Sequence, residues 1–498
     1  MATVAPQIYR NFINGTWVDS KGGQTMPSIN PATGETLGVV PKAGVEDVTA
    51  AIAAAKAAFN PWRKVPAPRR AEILYRAAEE LVRQKEDLAR LMTQELGKVL
   101  PEARGDVQEA IDMTYFIAGE GRRLHGYTTV SEMPTKAAYC IRVPVGVVGV
   151  ITPWNFPMAI PSWKIIPALL CGNTVVFKPA TYTPLVGIRF AEILNEAGLP
   201  PGVLNIITGS GGTVGDVLVE HPDVAIISFT GSTSTGLAIA EKCARAGKRV
   251  SLEMGGKNAA IVMADADLDL ATDALIWSAF GTSGQRCTAC SRIIVHAPVR
   301  AELTERLIAR TKALRLGDGL LPTTDVGPVV SESQLESIHE YVDIGRQEGA
   351  RLLTGGTKVS DGALARGSFY APTIFDNVTP GMRIEQEEIF GPVTDLIEAN
   401  NFDQAVQILN GVEYGLSASI FTREINTAMR AIDDIFTGIV YVNHGTIGAE
   451  VHLPFGGTKQ TGNGHREGGI QALDVFSEWK AVYIDYSGRL QRAQIDKD

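Results

Sequence analysis

The run Val145-Gly-Val-Val-Gly-Val-Ile151 is the first of several short, fully apolar segments that alternate with helix-like segments. Further β-branched runs follow at residues 174–177, 203–207, 224–228 and 259–263. Between them, residues 186–197 and 237–246 have the apolar spacing of helices. Strands without polar alternation, joined by helices, are typical of parallel βαβ units that are covered on both faces. The sequence therefore predicts an α/β fold.

A second α/β unit is predicted downstream of the first. The alternation resumes after the glycine-rich residues 281–287, with a strand at 293–295 and a helix at 301–315. Two other strand-like segments, residues 137–143 and 475–486, have no helix-linked neighbour. An antiparallel ribbon outside the main sheets fits both segments, and it is either a subunit contact or the edge hairpin of a monomer.

Composition narrows the class of protein. The 498 residues carry a formal net charge of −9, which argues against generic binding to nucleic acid or to an anionic membrane surface. Five cysteines in so long a chain indicate a reducing compartment. The opening residues show no basic segment followed by an apolar one, and no apolar run reaches about 18 residues, so we expect neither a secretory signal nor a membrane span.

Cys287 is the candidate nucleophile, in the segment Gly284-Gln-Arg-Cys287. A glycine-rich approach leaves room for a ligand, and the pKa of a thiol falls beside a cation or a helix N-terminus. Arg286 adjoins the thiol, and a helix is predicted to follow it. The alternative is a small buried apolar side chain. Cys290 forms a Cys-x-x-Cys motif with Cys287. The chain has no second such pair to complete a zinc site, so no metal site is predicted. A transient disulfide between Cys287 and Cys290 remains an alternative.

Two more side chains are candidates for chemistry. Glu253 precedes a Gly-Gly pair at a predicted strand end, where a carboxylate can act as a general base; the alternative is a solvated surface glutamate. Asn155 lies between Pro153 and Pro157, so its amide is a candidate donor to an oxyanion. The alternative for Asn155 is an Asx turn that caps the proline-bracketed loop.

Three segments are candidates for binding phosphate. Gly209-Ser-Gly-Gly-Thr-Val-Gly215 follows a strand but is one residue longer than the dinucleotide fingerprint. Phe229-Thr-Gly-Ser-Thr-Ser-Thr-Gly236 opens a helix with hydroxyl groups, which suits an anion or an ordinary N-cap. Lys178 places a cation at the carboxyl edge of the sheet. A nucleophile, a base, an amide donor and a phosphate site together indicate covalent catalysis coupled to a nucleotide.

Seven motifs occur along the chain in a recognisable order and spacing: Thr152-Pro-Trp-Asn-Phe-Pro157, Lys178-Pro179, Phe229-Thr-Gly-Ser-Thr233, Leu252-Glu-Met-Gly-Gly-Lys257, Gly284-Gln-Arg-Cys287, Glu387-Glu-Ile-Phe-Gly-Pro392 and Pro454-Phe-Gly-Gly457. With them, the chain resembles the NAD(P)-dependent aldehyde dehydrogenase superfamily from Phe12 almost to its C-terminus. The resemblance implies two doubly wound parallel-sheet domains and a small antiparallel bridging ribbon.

The resemblance also implies how the domains divide the chain. A Rossmann-like cofactor domain would take residues 1–124 and 145–253, and a catalytic domain residues 254–453. Residues 125–144 and 477–487 would form the bridging ribbon of a homodimer or homotetramer. Residues 454–476 and 488–498 would be a connecting segment and a C-terminal tail. Such an enzyme is expected in the cytoplasm.

By motif position, the implied catalytic residues are Cys287, Glu253, Asn155 and Lys178. Cys287 would attack the aldehyde carbon, and Asn155 with the Cys287 backbone N–H would hold the oxyanion of the thiohemiacetal. Losing one such donor typically costs about 10²–10³ in rate. Hydride transfer to the cofactor would leave a thioester, and Glu253 would activate the water that hydrolyses it.

The implied cofactor is NAD or NADP. Its binding residues by motif position are Ile151, Thr152, Pro153, Trp154, Lys178, Thr181, Gly211, Phe229, Gly231, Ser232, Gly255, Glu388 and Phe390. Lys178 would contact the adenosine ribose, Ser232 the pyrophosphate and Glu388 the nicotinamide ribose. Members that prefer NAD commonly carry an acidic residue where this chain has Thr181, so NADP competence is predicted.

The substrate implied by the resemblance is a small aldehyde. Phe156, Ile160, Trp163 and Phe455 would form an apolar collar, although Phe156 and Trp163 also suit a plain core. Arg286 would either bind the remote carboxylate of a semialdehyde or pair with an interior acid. Residues 443–453, with Gly448-Ala449-Glu450, resemble the branch that acts on aminoadipate semialdehyde, and ketoglutarate semialdehyde is a further candidate.

Two other activities stay open at this point. A coenzyme-A-acylating relative would use the same cysteine but generally lacks the deacylating glutamate, so Glu253 favours hydrolysis. A cysteine hydrolase or acyltransferase would need a base on the thiol, usually histidine, and no histidine lies near Cys287 in the sequence. Neither nucleic acid nor membrane is expected as a partner.

Overall fold

The computed structural model describes residues 6–495. The opening residues 1–5, on which the expectation of no secretory signal partly rests, and the end of the predicted tail at 496–498 lie outside the described residues. Within 6–495, no helix combines the length and the apolar character that crossing a membrane requires.

The first large sheet has seven strands, of which the five that follow residue 145 are parallel to one another. In spatial order the strands are Arg249–Glu253, Val224–Thr230, Val147–Ile151, Thr174–Lys178, Leu204–Ile206, Asn11–Ile13 and Thr16–Val18. The last two are antiparallel additions at one edge.

Strand Val147–Ile151 lies at the centre of this sheet because both of its faces are apolar. Val148 and Val150 enter one hydrophobic cluster, while Val147 and Ile151 enter another. From this strand the chain winds outward through Thr174–Lys178 and then returns to pair Val224–Thr230 on the other side. This reversal places a crevice beyond the carboxyl ends of Val147–Ile151 and Val224–Thr230, where open α/β sheets bind ligands.

The second large sheet also has seven strands. In spatial order they are Arg351–Thr354, Thr373–Asp376, Val393–Ala399, Cys290–His296, Asn258–Val262, Ser417–Phe421 and Ile439–Val442. All pairings are parallel except that of Arg351–Thr354. The chain leaves the first sheet at Glu253 and enters the second at Asn258.

Helices cover both faces of the two sheets. They are Val45–Arg63, Ala67–Leu96, Leu100–Gly119, Ala159–Cys171, Pro184–Glu196, Asp216–Glu220, Thr233–Arg245, Leu268–Phe280, Arg300–Lys312, Glu332–Gln347, Arg383–Gln386, Phe402–Asn410, Ile425–Asp434 and Ala472–Val475. In Ala67–Leu96 the residues Leu74, Ala78 and Leu81 are fully buried and recur at helical spacing. Residues Gly211–Gly215 form one turn of π-helix, within the glycine-rich segment that is one residue longer than the dinucleotide fingerprint.

The strand-like segments without helical neighbours pair with each other. Lys136–Pro144 lies between Ser477–Asp485 and Tyr127–Val130 in an antiparallel three-stranded sheet. Smaller sheets join Gln7–Ile8, Thr36–Pro41 and Thr25–Ile29; Lys358–Val359 and Phe369–Tyr370; and Tyr414–Gly415 and Thr458–Lys459. The predicted fold class, two parallel sheets and a small antiparallel ribbon, is confirmed.

Candidate active site

Cys287 lies where two cavities meet, a cleft of about 530 Å³ at the crevice of the first sheet and a cavity of about 110 Å³ between the two domains. The chain reaches it from helix Leu268–Phe280 through Thr282, Ser283 and Gly284, which all have positive φ angles of 52°, 55° and 68°. A Cβ at Gly284 would stand 2.1 Å from the Gly391 carbonyl oxygen, so this tight approach requires glycine.

No helix follows Cys287 directly, and the strand predicted at 293–295 is confirmed. Strand Cys290–His296 follows instead and pairs in parallel with Asn258–Val262 and Val393–Ala399. The buried run Ile293-Ile-Val295 suits the middle of a parallel sheet, which outweighs any tendency to begin a helix there. The segment directly after Cys287 therefore brings no helix N-terminus to the thiol.

The Cys287 thiol is protonated at neutral pH in this structure. Burial raises its pKa to about 12, and the carboxyl groups of Glu388, Glu253 and Glu109 add to the increase. The neighbouring Arg286 does not offset this increase, because its guanidinium is paired with Glu102. A thiol in this environment needs a base to become a nucleophile. Cys290 is buried at the start of its strand, and both thiols are free.

Glu253 ends strand Arg249–Glu253 and lines the smaller cavity together with Cys287. Its side chain is 3% exposed, and neither carboxyl oxygen has a hydrogen-bond partner among residues 6–495. Burial and the Glu467 carboxyl raise its pKa well above the usual value, against the charges of Lys164 and Arg466. A Cβ at Gly456 would stand 2.6 Å from Glu253 Oε1, so this glycine keeps space at the carboxyl group.

Asn155 follows strand Val147–Ile151 and lines the larger cleft with Cys287. It is 2% exposed, and its Oδ1 accepts no hydrogen bond from the described part of the chain. The Asx turn that the sequence also allowed is therefore not formed. The buried amide remains available at the cleft, as an oxyanion donor must be.

All five predicted substrate residues line the smaller cavity: Phe156, Ile160, Trp163, Arg286 and Phe455. The rings of Trp163 and Phe455 meet edge to face, with centroids 5.1 Å apart. Trp163 is 4% exposed, so it belongs to the core and to the cavity wall at once. The structure thus combines the two interpretations that the sequence left open for Trp163.

Arg286 makes the interior ion pair that the sequence allowed, and its binding of a substrate carboxylate stays a prediction. Nη2 donates to Glu102 Oε1 at 3.0 Å and Nε donates to Thr282 Oγ1 at 3.1 Å. The guanidinium lies 5.5 Å from the centre of the Phe156 ring, and the side chain is 11% exposed. Arg286 therefore pairs with an acid and still faces the cavity of Cys287.

Every predicted cofactor residue lines the larger cleft: Ile151, Thr152, Pro153, Trp154, Lys178, Thr181, Gly211, Phe229, Gly231, Ser232, Gly255, Glu388 and Phe390. Ser232 Oγ accepts a hydrogen bond from Thr235 N at 3.4 Å and so caps helix Thr233–Arg245. Lys178 lies in this cleft and is absent from the smaller cavity, among the residues described. Burial lowers the pKa of Lys178 to about 8.

The cleft fits an NAD(P) cofactor. The N-terminus of helix Thr233–Arg245 and the Lys178 ammonium suit phosphates, and the Glu388 carboxylate suits a ribose diol. Glu388 is positioned by the Gly256 N–H, which donates to Oε1 at 2.8 Å. A Cβ at Gly255 would stand 2.4 Å from Glu388 Oε2, so glycine keeps the floor of the cleft open there.

The sequence analysis missed two acidic residues of the smaller cavity and the lysine that pairs with one of them. Glu109, from helix Leu100–Gly119, and Glu467 line the smaller cavity, and Lys164 Nζ donates to Glu467 Oε1. Glu467 precedes a Gly-Gly pair, as Glu253 does, and this signal in the sequence was overlooked. The only available signal for Glu109 was its position between the apolar residues Val107 and Ala110 of a predictable helix. No histidine lines either cavity in residues 6–495, which disfavours a histidine-based hydrolase.

Comparison with known proteins gives a consistent result. The sequence profile of the aldehyde dehydrogenase family matches residues 17–482. The alpha-ketoglutaric semialdehyde dehydrogenase of Bacillus subtilis is 44% identical over 96% of this chain and 98% of its own length. The alpha-ketoglutarate semialdehyde dehydrogenase of Haloferax volcanii is 43% identical over 96% and 99%. The crystal structure of Staphylococcus aureus betaine aldehyde dehydrogenase with NAD⁺ has a TM-score of 0.95 and 36% identity over 97% of this chain and 95% of that one.

Proposed function

Because the chain belongs to the aldehyde dehydrogenase family, we propose that it oxidises a semialdehyde with a remote carboxylate, of the ketoglutarate semialdehyde type, to the dicarboxylic acid. The observation that carries this substrate class is the Arg286 guanidinium, which lines the same cavity as the Cys287 thiol. Two of the relatives compared above are named for such a substrate, which supports the same assignment.

We assign the chemical steps to residues around Cys287. Its thiol first loses a proton to solvent, which is the proton released in the overall reaction. The thiolate attacks the aldehyde carbon, and the Asn155 amide with the Cys287 N–H stabilises the oxyanion of the thiohemiacetal. The cofactor supplies the hydride acceptor, so the carbon on sulfur reaches the oxidation level of a thioester. Glu253 takes a proton from the water that cleaves the thioester, which releases the acid and restores the thiol. In the overall reaction, the aldehyde, water and NAD(P)⁺ are converted to the acid, NAD(P)H and a proton.

Arg286 has a donor left for the substrate. Its Nη2 and Nε are engaged by Glu102 and Thr282, and Nη1 makes no hydrogen bond to residues 6–495. A charge-assisted bond from Nη1 to a carboxylate would be short and stronger than a neutral one. The adjacent ring of Phe156 keeps this part of the cavity apolar, which strengthens such a bond.

Replacing Arg286 by alanine tests the substrate class. We expect kcat/KM for 4-oxobutanoate to fall about 10- to 100-fold, the value of a hydrogen bond to a charged group. Butanal, which has the same chain length and no carboxylate, serves as the internal control, and its kcat/KM should change less than threefold or so. Arg310→Ala, an exposed arginine elsewhere, should leave both values unchanged. An unchanged ratio of the two substrates in Arg286→Ala contradicts the proposal.

We also propose that the enzyme accepts NADP. Thr181 lines the cofactor cleft with an uncharged hydroxyl, which donates to the Gly209 carbonyl oxygen at 3.4 Å. No carboxylate at this position repels a 2′-phosphate. The measurement is kcat/KM with each cofactor, and an NADP value more than about a thousandfold below that of NAD, some 4 kcal/mol, contradicts the proposal. A Thr181→Glu variant should lose NADP activity selectively.

The antiparallel sheet is the proposed contact of a homodimer or homotetramer. Its strands expose Tyr127, Trp479 and Tyr483 by 63%, 51% and 70%, and exposed apolar patches mark interaction surfaces. Residues 125–144 and 477–487 would then form the bridging unit between the cofactor and catalytic domains as divided above. Light scattering distinguishes these assemblies from a monomer.

Free thiols at Cys287 and Cys290 support a reducing, cytoplasmic location.

A further inference from the structure

Glu109 is a carboxyl group in the cavity wall that the proposed chemistry does not use. It projects from helix Leu100–Gly119 and lines the same cavity as Cys287 and Arg286. No hydrogen-bond donor among residues 6–495 contacts its carboxyl oxygens, and it makes no ion pair there. A carboxyl group in a substrate cavity without a partner of its own is available to the substrate.

The cations near Glu109 are already engaged by other acids. Lys98 Nζ donates to Asp106 Oδ2 at 2.9 Å, and both side chains are fully buried. The Arg286 guanidinium pairs with Glu102 at 3.0 Å. Neither cation donates a hydrogen bond to Glu109 among residues 6–495, so Nη1 of Arg286 stays available to a substrate carboxylate.

The charges that face Glu109 therefore favour its neutral form. Burial is the largest influence and raises its pKa to about 8, and the Asp106 and Asp112 carboxylates of the same helix act in the same direction. Lys98 and Arg286 act against the increase without cancelling it. Outside this helix, the ionisable groups of Cys287 and Tyr441 also interact with Glu109.

We propose that Glu109 is a specificity-determining residue, which donates a hydrogen bond from its neutral carboxyl group to the substrate carboxylate beside Arg286. This inference rests on the proposed function, because it needs a substrate with a remote carboxylate. A protonated carboxyl group is both donor and uncharged, whereas the ionised form can only accept and repels an anion.

The consequence is a preference for anionic over neutral aldehydes that depends on pH. Below about pH 8, Glu109 is neutral and donates a hydrogen bond to an anionic substrate. Above that pH, Glu109 is ionised and repels the anionic substrate. A neutral aldehyde is unaffected by this change. Groups needed for chemistry on either aldehyde, such as Cys287 and Glu253, act on both rates alike. The ratio of the two kcat/KM values therefore isolates Glu109.

The experiment measures kcat/KM for 4-oxobutanoate and for butanal between pH 7 and pH 9, in the full-length enzyme with NAD⁺. For a group of pKa about 8, the neutral fraction falls about tenfold over this range, and we expect the ratio to fall by the same factor. In Glu109→Gln, whose amide donates at every pH, the ratio should stay high and flat. Glu79→Gln, an exposed glutamate on helix Ala67–Leu96, is the matched control and should behave like the parent enzyme.

The outcomes separate this inference from the proposed function. If the parent enzyme prefers 4-oxobutanoate and Arg286→Ala removes the preference, the proposed function stands. A ratio that is flat with pH in the parent, or that falls equally in Glu109→Gln, then overturns the role of Glu109 alone. If the parent shows no preference at any pH, both fail. The parent profile needs no variant, so the inference stays falsifiable even if Glu109→Gln does not fold.

Discussion

The Cys287→Ala variant is expected to lose reduction of NAD(P)⁺ by every aldehyde, by at least about 10⁴-fold, because no bond to the aldehyde carbon can then form. No other thiol replaces it, since Cys290 is 1% exposed and its Sγ contacts the Arg292 carbonyl oxygen. The measurement is the growth of absorbance at the reduced-nicotinamide band. Cys290→Ala is the matched control and should keep its activity within about threefold.

The state of the thiol gives this prediction a second readout. Because burial and three carboxyl groups raise the pKa of Cys287 to about 12, alkylation of the cofactor-free enzyme by iodoacetamide should be slow at pH 7. The alkylation rate should rise with pH and vanish in Cys287→Ala. Full turnover by Cys287→Ala would rule out the covalent route, and fast alkylation at pH 7 would contradict a raised pKa of the Cys287 thiol.

The Glu253→Gln variant is expected to stop after the first half of the reaction. One equivalent of reduced cofactor should form in a burst, and steady turnover should fall about 10²–10⁴-fold, the usual contribution of a general base. The glutamine keeps the size of the side chain but cannot take a proton from water. Its two carboxyl oxygens have no hydrogen-bond partner in the described chain, so the substitution breaks no existing bond.

The pH dependence of the parent enzyme supports the same assignment. Burial and Glu467 raise the pKa of Glu253 well above its usual value. A base must be ionised to act, so hydrolysis should increase with pH through the neutral range, where an ordinary glutamate would already have levelled off. Glu253→Gln should lose this dependence. Parent-level turnover in Glu253→Gln would show that another group activates the water, and turnover restored only by coenzyme A would favour the acylating alternative.

Much of the site was predictable because its residues stand in short segments at strand ends. Asn155, Lys178, Ser232 and Glu253 each follow or end a buried parallel strand of the first sheet. The carboxyl ends of parallel strands meet at one edge, so the pattern of apolar runs and the residues after them place these side chains together. The fold class followed from the same runs.

The rest depends on packing between distant segments. Glu109 reaches the cavity from a helix, and no local pattern distinguishes it from a surface glutamate. Glu467 does precede a Gly-Gly pair, but the sequence does not show that this segment packs against the cavity of Cys287. No helix N-terminus follows Cys287 directly, because residues 290–296 pair with two strands that lie far away in the sequence. Arg286 pairs with Glu102 and lines the cavity of Cys287. This arrangement could not be predicted without knowing where helix Leu100–Gly119 packs, because that helix carries Glu102.

The covalent intermediate is the most direct test of the whole account. Glu253→Gln is mixed with NAD⁺ and 4-oxobutanoate, quenched in acid after the burst, digested and analysed by mass spectrometry. The account predicts that the peptide with Cys287 gains the mass of the aldehyde less two hydrogens, which is the thioester. An adduct on another residue, or a burst of reduced cofactor without any adduct on Cys287, would contradict it.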